Sequence, residues 1–284
     1  MTMTLTGATL NQLIKDLREK TGAGITDCKK ALDEAGGRLD EALTALRKKG
    51  LADAAKRMAR ATKEGAVAFV VAGKAGAIIE LNCETDFVAR TDEFKALAQS
   101  LAQKAASGEL KSLEEAAVLV TPVQTRLGEN MSLRRYERFT ISAEGLISGY
   151  IHLGAKKGAL IEIQAPSAAA AASPAAAELA KELLLQIVGS GPKYLRREDV
   201  PAADVAKERE IHAEVLLKEG KPAAAIPKIV EGKINKLFYQ AFCLTEQMSL
   251  RDGKTPIASL IKDACAKAGG ELKVVRFVRY TLGE

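Results

Sequence analysis

An α+β fold is predicted from three features of the 284-residue chain. Apolar residues recur at helical spacing through the first quarter, a strand-like apolar run and the helix after it appear twice at one fixed offset, and a late segment reads as two helices turned at Gly220-Lys221-Pro222. The predicted organisation is a three-helix module over residues 1–52, a linker over 53–64, and a duplicated α/β core with antiparallel strands whose halves span 65–142 and 143–284. A helical hairpin at about 205–238 is inserted in the second half.

The first helix is expected to open on a capping box, Thr9-Leu10-Asn11-Gln12, and to carry Leu10, Leu13, Ile14 and Leu17 on one face. It should stop at Gly22 and Gly24, where glycine accepts a left-handed backbone. A second helix, from about Thr26, gathers Cys28, Ala31, Leu32 and Ala35 before Gly36-Gly37. A third, capped by Asp40, carries Ala42, Leu43 and Leu46 into the basic end Arg47-Lys48-Lys49-Gly50. Residues 51–65, rich in Ala and Lys/Arg, read as a partly helical linker.

Apolar runs then predict a hairpin of strands over 66–71 and 77–81, joined across Gly73-Lys74-Ala75-Gly76, with a helix from about Thr91. Further strands are predicted over 131–142, 145–152 and 158–164, followed by a helix over 178–188. The Ala- and Pro-containing stretch 165–177 between them reads as a low-complexity surface connection. The hairpin's arms fall at 205–219 and 223–238, with Pro227 kinking the second arm or delaying its start. Thr255-Pro256 opens a last helix, and residues 272–280 close the chain as a strand.

The repeat isolates one corner. Gly76-Ala77-Ile78-Ile79-Glu80-Leu81-Asn82 recurs 82 residues later as Gly158-Ala159-Leu160-Ile161-Glu162-Ile163-Gln164, and the helix at 97–102 recurs at 179–184 in the same register. In the first copy the strand ends at Asn82-Cys83-Glu84 and delivers Asp86 and Phe87 to a helix start. At the same offset the second copy has Ala168 and Ala169. An acid and an aromatic that the second copy dispenses with point to a contact, in a chain with only 4% aromatics and no Trp. The alternative is local structure, with Phe87 in the core and Asp86 as a cap.

Composition excludes several classes. With 47% apolar and 27% charged residues the chain belongs with soluble globular proteins, and no uncharged stretch approaches the ~20 apolar residues that span a bilayer. No basic and apolar leader opens it, so a cytoplasmic location is expected. Cys28, Cys83, Cys243 and Cys265 lack C-x-x-C spacing, which leaves no zinc or redox motif and suggests reduced structural thiols. Of the net charge of +6, residues 1–64 contribute +4, from 13 Lys or Arg against 9 Asp or Glu.

Catalytic machinery is not visible. His152 and His212, the two histidines, lack metal-ligand spacing. Gly253-Lys254-Thr255 resembles the tail of a phosphate loop, but Met248 stands where its first glycine belongs. A binding protein is expected, with no cofactor, no metal and no covalent chemistry of its own.

Three segments resemble the bacterial translation elongation factor Ts family: Leu17-Arg18-Glu19-Lys20-Thr21-Gly22-Ala23-Gly24, Asp27-Cys28-Lys29-Lys30-Ala31-Leu32, and Asn82-Cys83-Glu84-Thr85-Asp86-Phe87-Val88-Ala89-Arg90. Gly128-Glu129-Asn130, His152, the Gly220-Lys221-Pro222 turn and Arg276-Phe277-Val278 extend the likeness along nearly the whole chain. The resemblance implies an N-terminal three-helix module of the ubiquitin-associated type, a duplicated core and an antiparallel helical hairpin. It also implies a guanine-nucleotide exchange factor that binds elongation factor Tu, preferentially nucleotide-free, disturbs its GDP and magnesium site, and accelerates GDP release.

Carried over residue by residue, the resemblance makes Phe87 a wedge between partner helices and sets Asp86 against the same region. It places Arg18, Ile25, Thr26 and Lys29 where the N-terminal module meets the nucleotide-binding domain, and His152 in a core contact. Family members often carry methionine at the positions of Ile25 and Thr26, so the smaller, polar Thr26 departs from the pattern. A homodimer or a two-plus-two complex with the partner stays open, and neither a membrane nor direct nucleic-acid binding is expected. The rival reading is an RNA-binding translation protein, suggested by a pI near 9.0 and the basic N-terminal module; against it, Tyr136 near Arg134, Arg135 and Arg138 is the only cluster of basic residues with an aromatic, and it sits on a predicted strand.

Overall fold

The computed structural model describes residues 7–21, 23–57 and 60–284. Three helices come first: α1 (Gly7–Thr21), α2 (Ile25–Glu34) and α3 (Leu39–Arg57). They close around Leu17, Cys28, Ala31, Leu32, Ala42 and Leu46, the apolar stripes expected from helical periodicity.

Their ends differ from expectation. Thr9 lies inside α1, and Gln12 donates to Asp16 at 2.8 Å along the same helix. Gly22 lies outside the described residues. Gly24 is the extended N-cap of α2 (φ −62°, ψ 154°) and takes no left-handed turn, so α2 starts at Ile25. The left-handed positions are Gly36 and Gly37 (φ 60° and 81°). Asp40 sits in the first turn of α3, where its charge complements the helix dipole, while the helix itself begins at Leu39. α3 also runs through Gly50, which is buried and faces Thr125: a Cβ there would lie 2.9 Å from the Thr125 methyl.

Two antiparallel three-stranded sheets follow. Strands β1 (Glu64–Ala72), β2 (Ala75–Cys83) and β3 (Met131–Thr140) form one in the order β1-β2-β3. Strands β4 (Gly145–Ile151), β5 (Lys157–Gln164) and β6 (Lys273–Thr281) form the other in the order β4-β5-β6. The register of the first sheet shifts between Glu80 and Leu81, and that of the second between Glu162 and Ile163, so the two irregularities are 82 residues apart.

Between strands lie α4 (Asp86–Ala89), α5 (Asp92–Ser107), α6 (Leu113–Leu127), α7 (Ala168–Ala171) and α8 (Pro174–Ser190). Thr85 and Thr91 cap α4 and α5, and Ser167 and Ser173, each 82 residues on, cap α7 and α8. Residues 165–177 are thus not a surface connection: two serine caps and helix-favouring alanines fold them, burying Ala170 and Ala176. The sequence reading missed α6 because Pro122 interrupts it. Ser112 and Gly128 nevertheless cap its ends, and Ala116, Val120 and Val123 bury one face while Pro122 stays exposed.

The last helices are α9 (Ala202–Lys218), α10 (Ile226–Lys233), the short α11 (Gln240–Phe242) and α12 (Ile257–Ala268). Pro227 falls in the first turn of α10, delaying that arm to Ile226. Residues 234–239 then widen into a π-type turn that seats Phe238 edge-on against Tyr239 and Phe242. Val205 and Leu216 of α9 pack with Ile226, Val230, Ile234 and Phe238. At the last helix Pro256, not Thr255, is the N-cap.

The sheets pack against each other, with helices covering their outer faces. Alternation along β2 sends Ile78 to the inter-sheet layer with Val67, Phe139, Ile147, Leu160 and Tyr280, and Ile79 to the layer under α5 and α6. β5 divides Leu160 and Ile161 in the same way, the latter under α8 and α12. Burial on both faces explains why both central strands are continuous apolar runs. Arg135 of β3 stacks 4.2 Å from the Tyr280 ring, and Arg276 of β6 stacks 4.1 Å from the Phe139 ring, so each sheet reaches into the other.

Close approach depends on missing side chains. A Cβ on Gly149 would stand 2.5–2.8 Å from the Phe69 ring. Gly149→Ala is therefore expected to cost about 1–3 kcal/mol by overpacking, read as a lower denaturation midpoint at unchanged slope.

Candidate functional site

The corner after β2 is built from backbone-satisfying side chains. Thr85 accepts from the Val88 amide at 3.4 Å and caps α4, so Asp86 occupies the first helical turn. Thr91 accepts from the Phe94 amide and donates to the Val88 carbonyl at 2.8 Å, so a second cap follows the first within six residues. Only Val88 of this short helix is buried. Phe87 is left 78% exposed and is not core.

A second segment clamps the corner from behind. Glu129 accepts from the Thr85 hydroxyl at 2.6 Å and from its amide at 3.0 Å, while Glu84 accepts from the Asn130 amide at 2.6 Å. Asn130 donates to the Arg60 carbonyl at 2.8 Å. Cys83 points inward, and burial, aided by the nearby Glu129 and Glu64 charges, pushes its thiol up to about 12. It stays protonated and structural. Glu129→Ala removes two charge-assisted bonds at once, so a loss of about 1.5–3 kcal/mol is expected, with faster hydrogen exchange at the Thr85 amide as its local signature.

Asp86 pairs with Arg90 at 2.8 Å on the surface, a contact worth no more than ~1 kcal/mol and easily exchanged for another cation. His152 follows β4 in the turn to β5, exposed, its Nδ1 3.1 Å from the Tyr150 hydroxyl. That turn is fastened to the start of β1: Val67 N–H donates to the Ala155 carbonyl at 2.7 Å, and Lys156 pairs with Glu64 at 2.9 Å. Because Glu64 is registered with Cys83, the turn and the Asp86–Phe87 corner share one end of β1. Beside His152, Leu153 is 94% exposed.

The remaining sequence-predicted residues form a separate group. Arg18 and Ile25 line one shallow groove of about 550 Å³ between α1 and α2, with Ile25 58% exposed, and Lys29 lies one turn along from Ile25. Thr26 is exposed next to them. Among the described residues no hydrogen bond or ion pair joins this group to the corner. Sequence reasoning missed the roles of Glu84 and Glu129, whose partners lie 46 and 44 residues away, and missed Leu153, although a leucine between His152 and Gly154 in a turn was a visible signal.

Other features carry no such arrangement. Among the described residues no cluster of His, Cys, Asp or Glu is placed to hold a metal ion, and no helix is long and apolar enough to cross a membrane. The Gly253-Lys254-Thr255 segment offers no phosphate cradle: Asp252 takes the Lys254 and Thr255 amides and the Thr255 hydroxyl, which hold its carboxyl down at about 2. The arginines around Tyr136 are engaged internally, Arg134 and Arg135 with Glu80 and Arg138 with the Ala106 carbonyl.

Comparison with known proteins identifies the family. The family model described as elongation factor TS matches residues 84–284, beginning at Glu84 beside the corner. The chain belongs to the elongation factor Ts family. Elongation factor Ts of Nitratidesulfovibrio vulgaris (strain DP4) is 43% identical over 275 residues, 96% of this chain and 95% of that protein. Elongation factor Ts of Clostridium botulinum (strain Eklund 17B / Type B) is 42% identical, covering 95% and 92%. That of Symbiobacterium thermophilum is 42% identical, covering 96% and 91%. As a member of the elongation factor Ts family the chain is a translation elongation factor, so the corner and the exposed turn beside it are surfaces of a protein that works in protein synthesis.

Proposed function

We propose that this chain is a guanine-nucleotide exchange factor that binds elongation factor Tu, disturbs its GDP and magnesium site, and accelerates GDP release. The observation that carries the reading is Phe87, 78% exposed on a doubly capped, clamped corner. The fold does not need it there. At the same offset α7 forms the same kind of hydroxyl-capped turn, with Ser167 in the place of Thr85 and Ala168 and Ala169 in the places of Asp86 and Phe87. We read the matching caps and strand irregularities as a duplicated core, the first three helices as a ubiquitin-associated-type module, and α9 with α10 as the inserted antiparallel hairpin.

In this mechanism Phe87 enters an apolar pocket between partner helices, and Asp86 leaves Arg90 to meet the same region. Mg²⁺ demands near-octahedral coordination, so a small shift of the helices around it weakens the nucleotide site. The protein forms no covalent bond. Coupling is reciprocal: the factor by which it lowers GDP affinity is the factor by which GDP lowers its own, which makes the nucleotide-free partner the preferred one. Moving a site from 1:99 to 99:1 takes roughly 5.5 kcal/mol of differential binding. Burying one Phe supplies about 1.5–3 kcal/mol, so Leu153, His152 and the Arg18–Ile25–Thr26–Lys29 face supply the rest.

Stopped-flow release of fluorescent GDP from the matching elongation factor Tu, with and without this protein, tests the proposal. Strong acceleration supports it. An unchanged rate at saturating protein would sink it and return attention to RNA binding, whose mark is affinity that falls steeply with salt.

A further inference from the structure

Beyond the corner, α3 and α6 enclose a groove of about 840 Å³ that shares no lining residue with either group above. The two helices touch where Gly50 faces Thr125. From that contact the walls run back at helical spacing: Leu43, Leu46, Arg47 and Gly50 on α3, and Val118, Thr121, Pro122 and Thr125 on α6, each set at i, i+3, i+4 and i+7. Val118 is 73% exposed, an apolar side chain with no cover. The rim is basic, from Lys20, Arg47, Lys48 and Arg126, and among the described residues no acidic side chain lines the groove. Arg126 is paired with Glu93, but Lys20, Arg47 and Lys48 make no ion pair among the described residues.

We propose that this groove docks an acidic amphipathic helix of a partner protein. Two facing helix walls with an apolar floor offer a third helix the ridges and gap that helix-in-groove recognition uses, with leucine-type anchors at i, i+3, i+4 and i+7. The one-signed rim selects the flanks: acidic residues gain from Lys20, Arg47 and Lys48, and a basic helix is repelled. A nucleic acid fits less well, because none of the described residues lining the groove is an aromatic on which a base could stack.

Fluorescence anisotropy with the full chain tests this, using a labelled synthetic helix with a leucine stripe and glutamates elsewhere. Lysine-for-glutamate and scrambled versions of the peptide serve as comparisons. The glutamate helix is expected to bind saturably, and the other two at least roughly tenfold more weakly. Val118→Glu, and Arg47→Glu with Lys48→Glu, should each weaken binding by a similar factor, whereas Phe87→Ala should leave it unchanged. Val118→Glu should in turn leave GDP release unchanged, which separates this site from the exchange surface. Equal binding of the scrambled or lysine peptide, or full affinity in Val118→Glu, would overturn the assignment. So would displacement of the peptide by a single-stranded oligonucleotide that binds more tightly.

Discussion

Replacing Phe87 with alanine is expected to slow accelerated GDP release from elongation factor Tu by roughly 10- to 150-fold, the rate equivalent of about 1.5–3 kcal/mol of aromatic burial. The same substitution should leave stability within about 0.5 kcal/mol of wild type, because a side chain 78% exposed contributes little to the core. That separation makes the test sharp. A slow variant with an unchanged melting temperature places Phe87 in the contact itself, and a variant as fast as wild type removes it from the mechanism. Asp86→Ala should be milder, since it removes a solvent-exposed polar contact in place of a buried aromatic one, and the caps at Thr85 and Thr91 persist. GDP titrated against the complex provides the reciprocal readout: it should dislodge wild type from its partner by the same factor by which wild type dislodges GDP.

The largest stability effect is expected at Glu80. Its carboxylate is fully buried in β2, where it accepts from Arg135 at 2.7 Å, from Arg134 at 3.4 Å and from the Gly283 amide at 2.9 Å. Glu80→Ala strands Arg135 with only the Thr281 carbonyl and the Tyr280 ring, and should cost about 3–5 kcal/mol in chemical denaturation. Much of that is the penalty of an uncompensated charge, so adding Arg135→Ala should recover part of the loss. The comparison residue lies in the other sheet. Glu162 holds Arg276 at 2.7 Å but its side chain is 11% exposed, so Glu162→Ala should cost less. Equal losses at the two positions would show that burial at Glu80 adds nothing beyond the pair.

Much of the fold was legible because its signals are local. Strands β1 and β2 announced themselves as apolar runs around Gly73, and the repeat was visible at 82 residues before any cap or strand irregularity was known. Where local signals competed, the reading failed. Pro122 hid α6, although Ser112 and Gly128 frame it, and a run of alanines disguised α7 and the start of α8, whose serine caps were the better guide. At Thr9 the capping-box pattern placed the helix start too late, since α1 already includes Gly7.

By itself the sequence determined the six strands and most of the longer helices, the 82-residue repeat, the family and the choice of Asp86 and Phe87 as the odd pair. Each of these rests on neighbours within a few residues or on direct comparison of one segment with another. Only the tertiary structure decided that Phe87 faces solvent, that Glu80 is buried beneath two partly exposed arginines, and that α3 and α6 leave a groove between them. Those outcomes depend on partners far along the chain, Glu129 at 44 residues from Thr85 and Arg135 at 55 from Glu80, and no local period encodes which distant group will desolvate which.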